Sequence, residues 1–291
     1  MSKVLVLGGT RFFGKALVNN LLMDNNDVTI ATRGITKDDY GNKVNRIILD
    51  REDRNSIENA LKDKDFDAIY DNICYSPNSA KKLLEVIKGK TKKYIVISSA
   101  AIYDFSKDVK EEDYDFSKNT VQYGERNDFS YSEGKRQVES YIFKENSFEI
   151  IAVRFPVVLG EDDYTKRLYF YVDKILNGKP IKIDNMNGNL SFINSKEAGK
   201  FLKWVKDINF TGPINACSEG YITIKEIIEY IEEKSNVKAL IKEDGEVSPY
   251  NEIPELTLNT DRAKNFGYEF QPLKGYIFKL LDGYIEEIKN Q

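Results

Sequence analysis

Tyr131 and Lys135 stand four residues apart, in a stretch whose Val138, Tyr141 and Ile142 recur at helical spacing. On a helix they share one face, so both can reach the same ligand. An ammonium close to a phenol favours the phenolate and brings a tyrosine toward the working range of an acid–base group. Ser99, at the end of an apolar run, can hydrogen-bond the same substrate oxygen. The chain has no histidine, which removes Ser-His-Asp and Cys-His mechanisms and His-ligated zinc; no metal site is expected. Proton transfer must then fall to Tyr, Lys, Asp or Glu. A Tyr-x-x-x-Lys pair recurs by chance in a chain with 18 tyrosines, and a packing residue at a helix start is the competing reading of Tyr131.

A second constellation opens the chain. Val4-Leu5-Val6-Leu7 reads as a buried parallel strand. Gly8 and Gly9 turn the backbone, and Phe13, Ala16, Leu17 and Leu21 then fall on one helix face. Strand, glycine turn and helix make the first half of a nucleotide-binding unit, because unpaired N–H groups and partial positive charge at a helix N-terminus stabilise a pyrophosphate. Gly8 permits the tight turn and Gly14 the close approach of helix and strand. Thr10, Arg11, Phe12 and Phe13 complete the candidate cofactor contacts of this turn. Arg11 must either point away from the phosphates or bind them.

These residues need a scaffold, and the chain supplies strands and helices in alternation. Further strands are expected at Val28–Thr32, Ile47–Leu49, Ala68–Ile73, Tyr94–Ser99 and Phe148–Arg154. Between them lie helices with Ile57, Ala60 and Leu61, then Leu83, Leu84, Val86 and Ile87, turned inward. This order predicts an α/β fold with a doubly wound parallel sheet of Rossmann type, whose ligands bind beyond the carboxyl ends of the strands. The glycine turn, Arg33, Asp50, Arg51, Cys74 and Ser99 all lie at or just past such ends. Arg33 replaces the acid that would accept from the ribose 2′-OH of NAD and can pair with the 2′-phosphate of NADP. NADP is therefore the expected cofactor, with NAD possible and a solvated loop arginine as the competing reading. Residues 104–128 are acidic and read as a solvated surface excursion. The expected division is a nucleotide-binding domain over 1–160, with 190–210 returning to it, and a smaller substrate domain over 161–291. The latter holds helices near 168–176 and 224–233.

Taken together, VLVLGGTRFFG, VISSAAIY, YSEGK and VRFPVVLG, with SFINSKEAG as a weaker match, resemble the extended short-chain dehydrogenase/reductases of the NAD(P)-dependent epimerase/dehydratase family. The resemblance implies that Tyr131 is the general acid/base, that Lys135 binds the nicotinamide ribose, that Ser99 orients the reacting oxygen and that Asp50 accepts from the adenine amino group. It implies hydride transfer at a carbinol or carbonyl carbon of a sugar-nucleotide-like or other small substrate. It also implies a homodimer, paired through the helix after Tyr131 and the helix holding Leu83 to Ile87. In two places the sequence departs from sugar-nucleotide enzymes. Val157 stands for a usual asparagine and Leu190 for a usual arginine, with Lys166, Arg167 and Lys182 as nearby substitutes. The GGTRFFG turn itself resembles an atypical branch that includes chloroplast stem-loop-binding proteins, some of which bind or cleave RNA. An RNA-binding protein is thus the second functional reading.

Composition bounds the rest. The 291 residues are 41% hydrophobic and 31% charged, as in a folded globular chain. Net charge is -4 without a basic block, which weighs against nucleic acid as the main partner. No apolar run approaches the ~20 residues of a membrane helix. Met1-Ser2-Lys3 leads straight into the first strand without a signal-peptide pattern. Cys74 and Cys217 are then expected as free thiols in a cytoplasmic protein.

Overall fold

The computed structural model describes residues 1–145 and 147–290. Seven parallel strands build the main sheet: β1 (Lys3–Leu7), β2 (Asp27–Thr32), β3 (Asn45–Ile48), β4 (Ala68–Asp71), β5 (Lys93–Ser99), β6 (Glu149–Phe155) and, after three short strands, β10 (Gly212–Asn215). Their order is β10-β6-β5-β4-β1-β2-β3, with every neighbouring pair parallel. Strand order reverses between β1 and β4, and the crevice of such a sheet opens there. The apolar runs are continuous because both faces are covered. Val4 and Val6 enter one core layer with α1 (Phe12–Met23) and α6 (Ser195–Val205). Leu5 and Leu7 enter the other, beneath α2 (Arg54–Ala60), α3 (Pro77–Ile87) and α4 (Tyr131–Ile142).

A third core belongs to the C-terminal part. It joins β7 (Val157–Leu159) and β9 (Phe192–Asn194), which pair in parallel, to α5 (Arg167–Leu176), α7 (Ile224–Ser235) and α9 (Leu273–Lys289). A two-stranded pair, β8 (Ile181–Lys182) with β11 (Glu246–Val247), lies beside it, whereas the short α8 (Asp261–Asn265) packs on β10 and places Ala263 in the first core. α6 packs against α1 and shares the first core layer with it. Gly199 lets α6 lie against α1, where an added Cβ would meet Ala16 Cβ at 2.5 Å.

Three expectations change. The third strand runs over Asn45–Ile48, not Ile47–Leu49; it is an exposed edge strand, where hydrophobicity carries little register information. The seventh strand, β10, was not foreseen, because Gly212 and Pro213 read as breakers. At a sheet edge both are tolerated, since one side of the strand needs no partner. It also brings residues past 210 back to the nucleotide-binding part. Residues 104–128 are not simply solvated. Val109 and Glu111 are buried, and residues 114–123 lie on the outer side of α4. Phe116 stacks on Phe143 at 4.2 Å, and Tyr123 meets Tyr141 edge-on at 6.1 Å. The Tyr114 hydroxyl donates to the Arg136 carbonyl at 3.2 Å, and the Gln122 N–H donates to Gln137 Oε1 at 2.8 Å. This side of α4, one of the two helices expected to pair with a second copy, is thus covered by this chain's own residues, and α3, the other, carries the exposed Lys81 and Glu85.

Beneath α4 lies a fully buried ion pair. Arg154 of β6 donates from Nε to Glu139 Oε1 at 3.0 Å and from Nη2 to Oε2 at 2.5 Å. Both side chains are 0% exposed. Removing one partner from such a pair leaves an uncompensated buried charge, which costs about 3–5 kcal/mol. Glu139→Ala is therefore expected to lower the unfolding free energy by about that amount in denaturant titration; a loss below 1 kcal/mol would show the pair to be dispensable.

Candidate active site

The opening turn is built as the sequence indicates. Gly8 takes φ +79, and its carbonyl accepts from Asn72 Nδ2 at 3.2 Å. A Cβ on Gly14 would sit 2.4 Å from Gly8 O, so the helix can lie this close only without a side chain there. Tyr40 braces the turn, its hydroxyl donating to Gly9 O at 2.6 Å. Arg11 keeps an extended backbone, φ -137, and Phe12 takes the left-handed conformation instead, φ +51. No side chain caps α1, and no acid lies in its first turn. Its free N–H groups remain available to an anion.

This turn forms one wall of a cleft of about 910 Å³. Gly8, Thr10, Arg11, Phe12, Phe13 and Gly14 line it, as do Arg33, Asp50 and Arg51 at the ends of β2 and β3. Arg11 Nη2 donates to Thr36 Oγ1 at 3.3 Å, which brings it to the loop after β2. Arg33 makes no hydrogen bond or ion pair among the described residues. Arg51 is different. It is 5% exposed and pairs with the wholly buried Asp71, whose Oδ2 also accepts from Tyr94 OH at 2.8 Å. Its charge is thereby committed. Asp50 is exposed, and its Oδ1 accepts from the Glu52 N–H at 2.9 Å.

The catalytic candidates Ser99, Tyr131 and Lys135 do not themselves line this cleft; Tyr131 and Lys135 adjoin it through Tyr75, which does. Ser130 caps α4 through its hydroxyl, which accepts from the Glu133 N–H at 3.2 Å. This fixes the helix start and with it Tyr131, which is 55% exposed. Lys135 lies one turn further in and is 2% exposed. Its Nζ donates to the Cys74 carbonyl at 2.8 Å and to the Ile97 carbonyl at 2.7 Å, bridging the ends of β4 and β5. The ammonium sits 5.8 Å from the Tyr131 ring centroid, so the structure brings the expected pair together. Ser99 is buried at the end of β5, two residues past the Ile97 carbonyl that Lys135 holds, and its Oγ accepts from the Ala101 N–H at 3.2 Å.

Cys74 corrects the sequence reading. Its thiol is buried in the core, and burial pushes its pKa up to about 11 against the opposing pull of Arg51. It enters the site only through its carbonyl, because a residue beyond a strand end can turn to either face. Tyr75, next to it, is the residue that reaches the cleft and was not foreseen. Its ring lies 4.6 Å from Lys135 Nζ and 6.4 Å from the Tyr131 ring. Burial raises its phenol to about 12. Its place just past β4 was a usable signal. Arg126 and Tyr164 also line the cleft from loops whose sequence carries no such signal.

On the substrate side, Leu190 is buried in the third core and Val157 packs against it. Lys182 pairs with Glu243 at 3.1 Å. Lys166 and Arg167 line a separate recess of about 280 Å³ near α5.

A parallel sheet with a glycine turn at its switch point, and a Tyr/Lys pair packed against the cleft residue Tyr75, defines an α/β protein of the dinucleotide-binding kind. The profile described as NAD dependent epimerase/dehydratase family matches residues 4–205, and the chain belongs to that family. A chloroplast stem-loop binding protein of 41 kDa from Arabidopsis thaliana is 26% identical over 205 residues, covering 65% of this chain and 50% of that protein. The chain thus matches about half the length of this relative. Among solved structures, a UDP-glucose 4-epimerase from Thermotoga maritima, with UDP-glucose, superposes with a TM-score of 0.78 at 13% identity, covering 98% of this chain and 99% of the other. WbmH from Bordetella bronchiseptica, in complex with NAD+, gives 0.75 at 17% identity and 99% of both chains. These likenesses show the shared fold. Among the described residues no helix is long and apolar enough to cross a membrane.

Because the contact at Gly14 is with backbone, it cannot relax by a side-chain rotation. Gly14→Ala is expected to cost about 1–3 kcal/mol in denaturant titration and to abolish saturable dinucleotide binding by calorimetry. Unchanged stability and binding would show that the turn does not need this approach.

Proposed function

We propose that the chain is an NAD(P)-dependent enzyme of the epimerase/dehydratase type, acting at a carbinol or carbonyl carbon of a sugar-nucleotide-like or other small substrate. The observation that carries this reading is Lys135, buried and gripped by two carbonyls, with its ammonium 5.8 Å from the Tyr131 ring and 4.6 Å from that of the cleft residue Tyr75. The uncapped N-terminus of α1, the Gly8–Gly14 turn and the cleft volume fit a dinucleotide. When bound, the cofactor would supply the hydride acceptor and donor. Tyr131 would take the substrate hydroxyl proton on oxidation and return it on reduction. Two of the three Lys135 N–H groups are engaged, which leaves one for a ribose hydroxyl or the phenol oxygen. Ser99 would donate its hydroxyl proton to the reacting oxygen, since its lone pair already serves Ala101. Asp50 and Arg51 would border the adenine end.

Arg33 favours NADP over NAD, and Arg11 adds a second guanidinium at the same end of the cleft. Both line it, and Arg33 has no competing partner among the described residues. Against the RNA-binding alternative stand the net charge of -4 and the intact Ser99, Tyr131 and Lys135 set.

Tyr131→Phe is expected to keep fold and cofactor affinity and to lose turnover by about 100- to 10,000-fold, measured by cofactor fluorescence in a screen of sugar nucleotides and small carbonyl compounds. Full turnover in this variant would overturn the assignment. Arg33→Ala should weaken NADPH binding about tenfold, as expected for a lost charge-assisted contact, and leave NADH little changed. Tighter binding of NADH than NADPH by the unaltered protein would reverse the cofactor preference.

A further inference from the structure

Glu125, Arg126 and Asn127 line the cleft, and the turn over 124–128 is held in place by hydrogen bonds. The Glu125 N–H donates to Asp128 Oδ2 at 2.7 Å. The Glu125 carboxylate accepts from Lys82 Nζ at 3.0 and 3.1 Å and from Asn78 Nδ2 at 3.2 Å, and Asn78 N–H donates to the Gly124 carbonyl at 3.3 Å. Every acid of this turn is thereby occupied. Arg126, between them, is not. Its guanidinium lies 4.5 Å from the centroid of the Tyr75 ring and lines the cleft. It makes no hydrogen bond or ion pair among the described residues, and the hydroxyls of Tyr75 and Tyr131 make none either.

The arrangement is electrostatically incomplete. Lys135 Nζ is 4.6 Å from the same ring, so two cations lie within about 9 Å of each other, roughly one Debye length. The carboxylates around them are committed elsewhere: Glu125 to Lys82 and Asn78, Asp128 to the Glu125 N–H, and Asp71 to Arg51 and Tyr94. A guanidinium presents parallel N–H donors that match a carboxylate or phosphate bidentately. Stacking on Tyr75 holds its plane beside the reacting centre.

We infer that Arg126, with the Tyr75 hydroxyl, is the subsite for an acidic group of the substrate, a carboxylate or phosphate close to the carbon on which Tyr131 acts. This rests on the enzyme reading above and gives its substrate class, an anionic carbinol or carbonyl compound. The charge is met on the α3 side of the cleft.

The test uses the full chain saturated with NADP+ and titrated with inorganic phosphate and, separately, acetate at constant ionic strength. The Arg126 side-chain Nε–H resonance, assigned through Arg126→Lys, reports binding. Saturable shifts in the millimolar range are expected. Arg126→Gln should weaken oxyanion binding, followed by calorimetry, by about tenfold or more, and Arg126→Lys should fall between, keeping the charge and losing the fork. Tyr75→Phe should weaken it less. No saturable shift of the Arg126 resonance, or unchanged oxyanion binding in Arg126→Gln, overturns the proposal. So does a loss of NADPH affinity in Arg126→Gln, which would assign the guanidinium to the cofactor pyrophosphate. Failure of the unaltered protein to bind either cofactor would instead count against the enzyme reading, so the two failures are read separately.

Discussion

The Arg154–Glu139 pair is the constraint on which the site depends. Glu139 lies one helical turn beyond Lys135 on α4, and its carboxylate also accepts from Ser98 Oγ at 2.5 Å. Arg154 reaches past it to the Tyr103 hydroxyl at 2.7 Å and the Glu111 carbonyl at 2.8 Å. Tyr103 in turn donates to Asn215 Oδ1 at 2.7 Å, and the Asn215 N–H donates to Glu111 Oε1 at 2.8 Å. One buried guanidinium thus ties β5, β6, β10 and α4 together. Burying two charges is costly, and the pair is tolerated because nearly all of its hydrogen-bonding capacity is used. What it secures is the angle and depth of α4. Tyr131 and Lys135 therefore arrive at the cleft on a rigid element, while Lys135 fixes the ends of β4 and β5 from the other side.

The parts of this structure that sequence reveals are those where local pattern and burial agree. Val4–Leu7, the Gly8–Gly14 turn and the helix after it are legible because an apolar strand, a required left-handed glycine and a 3.6-residue stripe follow one another. The Tyr131/Lys135 spacing is legible because four residues is one helical turn. Other features depend on packing between distant segments. Nothing local distinguishes the Cys74 thiol, turned into the core, from the Tyr75 ring, turned into the cleft. β10 carries Gly212 and Pro213 and is a strand only because β6 offers an edge. The acidic composition of 104–128 reads as solvated, yet Glu111 is buried by the hydrogen bond from Asn215 and the approach of Arg262.

The cleft divides into two chemically different ends. At one, the uncapped α1 terminus, Arg11 and Arg33 face the side of β2. At the other, Tyr75, Arg126 and Tyr164 crowd the approach to Tyr131. Phe12 links them through its edge-on contact with Tyr164 at 6.1 Å, and its left-handed backbone is strained for a side chain of that size. That strain is borne where the glycine turn meets the loop from the C-terminal part.

The segment from 114 to 128 has a consequence for how such a protein diversifies. Its contacts with α3 and α4 are its own, made through Phe116, Gln122, Tyr123 and Glu125. Lys135, by contrast, is anchored from below through the Cys74 and Ile97 carbonyls. A stretch held from outside the core can be lengthened, shortened or exchanged as a unit while the chemistry beneath it stays in register. Selectivity would then be a replaceable module, and chains sharing this sheet could turn over unrelated compounds by varying a single loop.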